Sequence, residues 1–183
     1  MKMNLSGYIL KLFGWKAQVS VPDYPKCIIC VAPHTSNWDF IIGKLAYASV
    51  GRKSGFLMKE TWFFWPLGAI FRAIGGVPVA RGRKRKGSLV ETLTERFRKS
   101  DRLVLAITPE GTRSPNPTWH TGFLQIAIGA GIPIALAVID YADKRAEISR
   151  TFTPTGDVEA DMRAIKEYYR GAKGRFPENF VID

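Results

Sequence analysis

The apolar positions of the chain change period several times, and each change marks an element. Residues 4–17 carry Leu5, Tyr8, Ile9, Leu12, Phe13 and Trp15 on one helical arc, with Asn4, Gly7, Lys11 and Gly14 opposite. That spacing predicts an amphipathic helix. Its aromatics and lysines suit a helix lying in a membrane interface, and equally a helix packed on its own domain. Lys16 falls near the apolar arc, where its stem can cover apolar surface while the ammonium stays in water. Beyond it the pattern alternates. Lys26–Ala32, Gly55–Met58, Val77–Ala80, Arg102–Ile107 and Ile132–Ile139 read as short apolar strands, with Ala146–Phe152 as an added one. Between and after them, Trp38–Val50, Thr61–Ile74, Ser88–Lys99, Gly122–Ala130 and Val158–Gly171 read as helices. Strands alternating with helices predict an α/β fold: a mainly parallel central sheet flanked by helices, preceded by the N-terminal amphipathic helix. The expected organisation is one domain over residues 1–183. It divides into an amphipathic, membrane-contacting helix at 1–20, a catalytic α/β core at 26–140, and a C-terminal strand and helix at 141–183.

Composition agrees with this and adds one outlier. At 183 residues a single domain buries enough surface to need neither disulfides nor a structural metal. Hydrophobic residues are 46% and charged residues 23%, which excludes disordered and collagen-like chains. The outlier is a net charge of +11. Residues 1–100 hold 17 basic and 5 acidic side chains, and residues 101–183 hold 10 and 11, so the whole excess is N-terminal. A basic half calls for anionic partners: nucleic acid, a phospholipid surface or a phosphorylated substrate.

Cys27 and Cys30 sit three apart in the first apolar strand, so their thiols are expected on opposite faces, as core residues of a reducing compartment. No secretory signal is expected, because Lys11 breaks the first apolar stretch and no cleavage site follows. Pro66, Arg72 and Gly75-Gly76 interrupt one long apolar run, and Gly129, Gly131 and Pro133 the other, so no membrane-spanning helix is expected.

In a parallel α/β sheet, ligands gather at the carboxyl ends of the strands. The first such end is Pro33-His34-Thr35-Ser36-Asn37-Trp38-Asp39. Thr35, Ser36 or Asn37 can cap the following helix, which puts Asp39 in its first turn, within reach of His34. A carboxylate on one ring nitrogen fixes the tautomer and raises the basicity of the other, a general-base arrangement. A satisfied turn histidine beside a helix-capping aspartate is the alternative. The third strand runs into Arg81 and the cationic run Arg81–Lys86, readable as phosphate site, membrane-contacting loop, nucleic-acid patch or solvated loop. No nucleic-acid-binding signature accompanies it. The fourth strand runs into Thr108-Pro109-Glu110-Gly111-Thr112-Arg113-Ser114, where a glycine turn and an arginine can hold an anion or make an ordinary turn. His120 reads as a loop residue, with a substrate contact as the alternative. There is no G-x-S-x-G elbow, no dinucleotide or P-loop glycine pattern, and no convincing set of metal ligands.

These blocks resemble the PlsC-like glycerophospholipid acyltransferases, the superfamily of 1-acylglycerol-3-phosphate acyltransferase. His34-Thr35-Ser36-Asn37-Trp38-Asp39 resembles its H-x-x-x-x-D block. Pro109-Glu110-Gly111-Thr112-Arg113-Ser114 is similar to its P-E-G-T-R-S block, about 70 residues later. Gly76-Val77-Pro78-Val79-Ala80-Arg81 and Ile132-Pro133-Ile134-Ala135 are similar to its glycine-to-arginine and proline-containing blocks. The resemblance implies that His34 and Asp39 are catalytic and deprotonate an acceptor hydroxyl. The hydroxyl oxygen then attacks the thioester of acyl-carrier protein or acyl-CoA, with no covalent acyl-enzyme. It also implies that Arg81 and Arg113 bind the acceptor phosphate, that Glu110, Gly111 and Thr112 shape that pocket, and that no metal or cofactor is needed. The helix at 61–74 is expected to line an acyl tunnel or touch the bilayer.

The chain departs from the family pattern at Pro33, Thr108, Pro78 and Ala80. The acceptor is therefore expected to be a lysophospholipid such as 1-acylglycerol-3-phosphate, or a lyso-aminolipid lacking a phosphate. A non-catalytic basic membrane-binding module and an acyl hydrolase are the other readings. Expected partners are the thioester donor, the lysolipid and an anionic phospholipid surface, with no nucleic acid. The expected location is the cytoplasm, peripheral on the cytoplasmic face of the membrane.

Overall fold

The computed structural model describes residues 4–79 and 88–182. Its strands are β1 (Lys16–Val19), β2 (Lys26–Ala32), β3 (Gly55–Lys59), β4 (Gly76–Val79), β5 (Leu103–Ile107), β6 (Ile134–Asp140) and β7 (Arg145–Phe152). Its helices are α1 (Leu5–Leu12), α2 (Asn37–Ser49), α3 (Leu67–Ala73), α4 (Leu89–Lys99), α5 (Gly122–Ala130) and α6 (Val158–Tyr169). The strands form one sheet in the order β1-β7-β6-β2-β5-β3-β4. All neighbours pair parallel except β6 and β7. This is the mixed α/β architecture, with its mostly parallel sheet and N-terminal helix, that the alternating pattern predicts.

Continuous apolar runs such as β2 and β6 are what a sheet covered on both faces requires. All seven residues of β6 are buried. Ile28, Cys30, Leu105, Ile134 and Leu136 point to the face covered by α4, α5 and α6, where Phe97, Leu124 and Ile165 close the core. Each such side chain contributes about 1.5–3 kcal/mol by its burial. Cys27, Ile29, Val104, Ala135 and Ala137 point the other way, towards Tyr47 of α2. The two cysteines are thus free, buried and on opposite faces, and burial pushes both thiols up to about 12.

Two element boundaries differ from the periodicity. The N-terminal helix stops at Leu12 rather than running to 17. Gly14 adopts φ +76°, a left-handed conformation that costs glycine little, and the N–H groups of Phe13 and Gly14 bond back to Ile9 and Lys11. The chain then turns into β1, an edge strand the apolar arc concealed. The apolar stretch 61–74 is likewise broken. Glu60–Trp62 is a short 3-10 turn, and α3 begins only after Pro66, which cannot donate the N–H a continuous helix would need.

α1 answers both readings of its apolar arc. It buries Gly7 and Leu10 against Ile42, Ala46, Ile139 and Ala146, and it leaves Leu5, Tyr8, Leu12 and Phe13 exposed.

Candidate active site

The loop between β2 and α2 carries His34, and the first turn of α2 carries Asp39. Ser36 caps α2: its Oγ accepts from Trp38 N–H, and Asp39 reaches back to the cap. Asp39 Oδ2 accepts from the N–H groups of Thr35 and Ser36 at 2.8 Å each. Its Oδ1 accepts from the hydroxyl of Tyr141 at 2.7 Å. With its side chain 1% exposed, Asp39 needs these donors, because an uncompensated buried charge costs several kcal/mol. His34 Nδ1 lies 3.3 Å from Asp39 Oδ2. That contact is out of line for a hydrogen bond, and Nδ1 has no other partner among the described residues. The imidazole is thus held beside the carboxylate, one fifth exposed.

The segment after β5 packs directly on this loop. Glu110 Oε1 accepts from His34 N–H at 2.7 Å, joining the two motif blocks through one bond. Glu110 is buried, and burial raises its carboxyl from 4.5 to about 8. The bond from His34 N–H opposes the shift and the nearby Asp39 charge adds to it. Of the two neighbouring acids, Asp39 is the one surrounded by three donors, and Glu110 stays protonated at neutral pH. Gly111 turns the chain with φ +67°. A Cβ there would lie 2.4 Å from the His120 ring, so any other residue would have to displace that ring as well as adopt a left-handed conformation. His120 is an exposed loop residue whose N–H bonds Pro109 O at 2.8 Å. Thr112 Oγ1 accepts from Ser114 N–H, shaping the turn. Arg113 is exposed and donates to Asn37 Oδ1 at the start of α2.

The loops from β2 and β5 thus bring His34, Asp39, Glu110, Gly111, Thr112 and Arg113 together. Arg81 and the rest of the run Arg81–Lys86 lie outside the described residues. Sequence reasoning missed Tyr141 and the segment 173–176. Phe176 N–H bonds Thr35 Oγ1 at 3.2 Å, and Arg175 lies 5.8 Å over the Trp38 ring. Tyr141 directly follows β6, so the strand-end rule that led to His34 also reaches it. No group of His, Cys, Asp and Glu among the described residues could hold a metal ion.

His34 and Asp39 also line a cavity of about 710 Å³ between α2 and the sheet. Its walls are apolar, with Ile29, Val31, Phe56 and Phe71 among them, and small at Gly43, Ala46, Ala106 and Ala137. Lys44 stands at one edge. Its ammonium bonds Ser54 O at 2.7 Å and Ile74 O at 2.9 Å, tying α2 to the start of β3 and the end of α3, and burial lowers its pKa.

A mostly parallel sheet thus carries a histidine–aspartate pair at a strand end, with an apolar cavity beside it. The family model described as Acyltransferase matches residues 18–140, from β1 to the end of β6. The chain belongs to this family, the PlsC-like acyltransferases, and its domain is that of an O-acyltransferase. No curated protein matches it significantly.

Proposed function

We propose that the protein moves a fatty acyl group from acyl-carrier protein or acyl-CoA to the hydroxyl of a lysophospholipid such as 1-acylglycerol-3-phosphate. One observation carries this reading: the His34–Asp39 pair lines the same cavity as a wall of apolar side chains. A volume of about 710 Å³ falls within the range of small-molecule pockets, roughly 300–1,000 Å³, and its lining suits an alkyl chain. His34 Nδ1 faces Asp39, which leaves Nε2 to take the proton of the acceptor hydroxyl. The oxygen attacks the thioester carbonyl, and collapse of the tetrahedral intermediate expels a thiolate. The thiolate takes the proton back from the imidazolium, so no group of the protein is acylated. Arg113 beside Asn37, with Arg81, holds the acceptor phosphate, while Glu110, Gly111 and Thr112 shape the pocket. No metal or cofactor takes part.

The lipid substrate also requires a lipid surface. Trp62, Phe64, Trp65, Ile70 and Ile74 are exposed around α3, with Trp65 at 87%, and α1 exposes four more large apolar side chains. Lys11, Lys53, Lys59 and Arg72 stand in the same segments. A cation near an anionic leaflet is worth about 1 kcal/mol, and the run Arg81–Lys86 adds to the attraction. Among the described residues no helix is long and apolar enough to cross a membrane, so the reading is peripheral docking on the cytoplasmic face.

The test is a screen of the purified protein with acyl-carrier-protein and CoA thioesters against several lysophospholipids and a lyso-aminolipid, read by mass spectrometry. An acylated lysophospholipid is the expected product. Free fatty acid alone would mean a hydrolase, an acylated aminolipid alone would move the acceptor class, and lipid binding without turnover would mean a binding module.

The cavity carries its own prediction. Gly43 lines it, and a Cβ there meets only Ile139 Cδ1, at an ordinary 3.5 Å. Gly43→Leu therefore fills the cavity from the α2 side without a backbone clash. Turnover of the longest accepted acyl donor should fall about tenfold or more, and that of a donor several carbons shorter should stay within about threefold, since each methylene is worth about 0.8 kcal/mol of burial. An unchanged chain-length profile would show that the acyl chain lies elsewhere.

A further inference from the structure

We propose that Tyr141 is a positioning residue for the His34–Asp39 pair, an inference that rests on the acyl-transfer reading above. Tyr141 stands one residue beyond the stretch matched by the family model, at the end of β6. Its hydroxyl donates to Asp39 at 2.7 Å. The two backbone N–H groups of the cap hold Oδ2, and Tyr141 alone among the described residues holds Oδ1. A carboxylate gripped at one oxygen can turn about its Cβ–Cγ bond. Gripped at both, it keeps Oδ2 beside His34 Nδ1, 3.3 Å away. Asp39 is buried, its side chain 1% exposed.

The phenol is itself braced. Its ring meets Trp15 edge to face with centroids 4.9 Å apart, and the backbone N–H of Tyr141 donates to Lys173 O at 2.9 Å. Burial, and the bond it donates to Asp39, raise its pKa well above the ordinary tyrosine value, so it remains a donor throughout the working range. The same C-terminal segment steadies the cap. Gly174 packs on Thr35 so closely that a Cβ would lie 2.7 Å from its Oγ1, and Phe176 N–H bonds that oxygen. Both grips on Asp39 thus depend on chain beyond residue 140.

Tyr141→Phe tests this, since it removes the hydroxyl and keeps the ring against Trp15. Kinetics are measured with whichever thioester and lysolipid the wild type turns over, about 10 °C below the variant's own melting transition. The expected result is a kcat about 10- to 100-fold lower, with KM for both substrates within about twofold. The second measurement needs no turnover. The chain has two histidines, and the His34 ring-proton resonances, assigned by their loss in His34→Ala, should move in Tyr141→Phe while those of His120 stay. A kcat within twofold of wild type, or unmoved His34 resonances, would overturn the proposal, as would a variant that only melts earlier. A wild type inactive with every donor and acceptor would instead sink the acyl-transfer reading, and the resonances would still decide whether the phenol positions the pair.

Discussion

His34→Ala is expected to lower acyl transfer by about a thousandfold or more and to leave the fold standing. The two halves of this expectation have separate physical causes. General-base catalysis is worth roughly 10²- to 10⁴-fold, and the chain has one other imidazole, that of His120, an exposed loop residue packed on Gly111. The fold should survive because the His34 side chain is one fifth exposed and its Nδ1 makes no hydrogen bond within the described residues. Truncation deletes little packing and strands no partner. Asp39 keeps its three donors, and Glu110 keeps the backbone N–H of residue 34, which alanine also supplies. The melting temperature should shift by no more than about 3 °C, corresponding to about 1 kcal/mol in a domain of this size. Turnover within tenfold of wild type, in a variant folded by circular dichroism, would remove His34 from the chemistry.

The second large effect is on stability and depends on pH. Glu110 is buried, and its carboxyl holds its proton to about pH 8, against 4.5 when solvated. Between those values the unfolded chain has released this proton and the folded chain has not. The folded state therefore binds more protons, and the contribution of this group to stability falls as pH rises from about 4.5, levelling off above about 8. Glu110→Gln keeps an oxygen to accept from His34 N–H and cannot ionise. At pH 5 the variant and wild type should melt within about 2 °C of each other. By pH 8 the variant should melt at least about 5 °C higher, because the wild type by then carries an ionisation cost on the order of 4 kcal/mol at most. A difference between the two proteins that is the same at both pH values would show that Glu110 is already charged in the fold.

Much of this arrangement was legible along the chain, and the exceptions have definite causes. Strand and helix alternation is a local signal, and β2, β5 and β6 carry it strongly because both faces of the central sheet are covered. The spacing of Cys27 and Cys30 predicted opposite faces, which is where they lie. β1 was hidden because Trp15 continues the apolar arc of α1. The stop signal was Gly14, which the arc assigned to a polar face and which the chain uses to turn. Pro66 was visible as an interruption, but the apolar residues on either side outweighed it. At the site, His34 and Asp39 lie five residues apart across one helix cap, so local reasoning could place them together. Their partners come from far along the chain: Glu110 from the end of β5, Tyr141 from the end of β6, Thr35's brace from residues 174–176. Such contacts depend on strand order, which periodicity does not encode.

The two cysteines have a practical corollary. A maleimide reacts with the thiolate, and both native thiols are buried with their ionisation displaced to about 12, so neither will label at neutral pH. Facing opposite sides of the sheet, they cannot cross-link to each other within one chain. A single cysteine placed at Leu12, 82% exposed on α1, would then be the one reactive handle on an otherwise unaltered protein. A fluorophore attached there would report whether that helix enters a bilayer, without first stripping the core of its sulfur atoms.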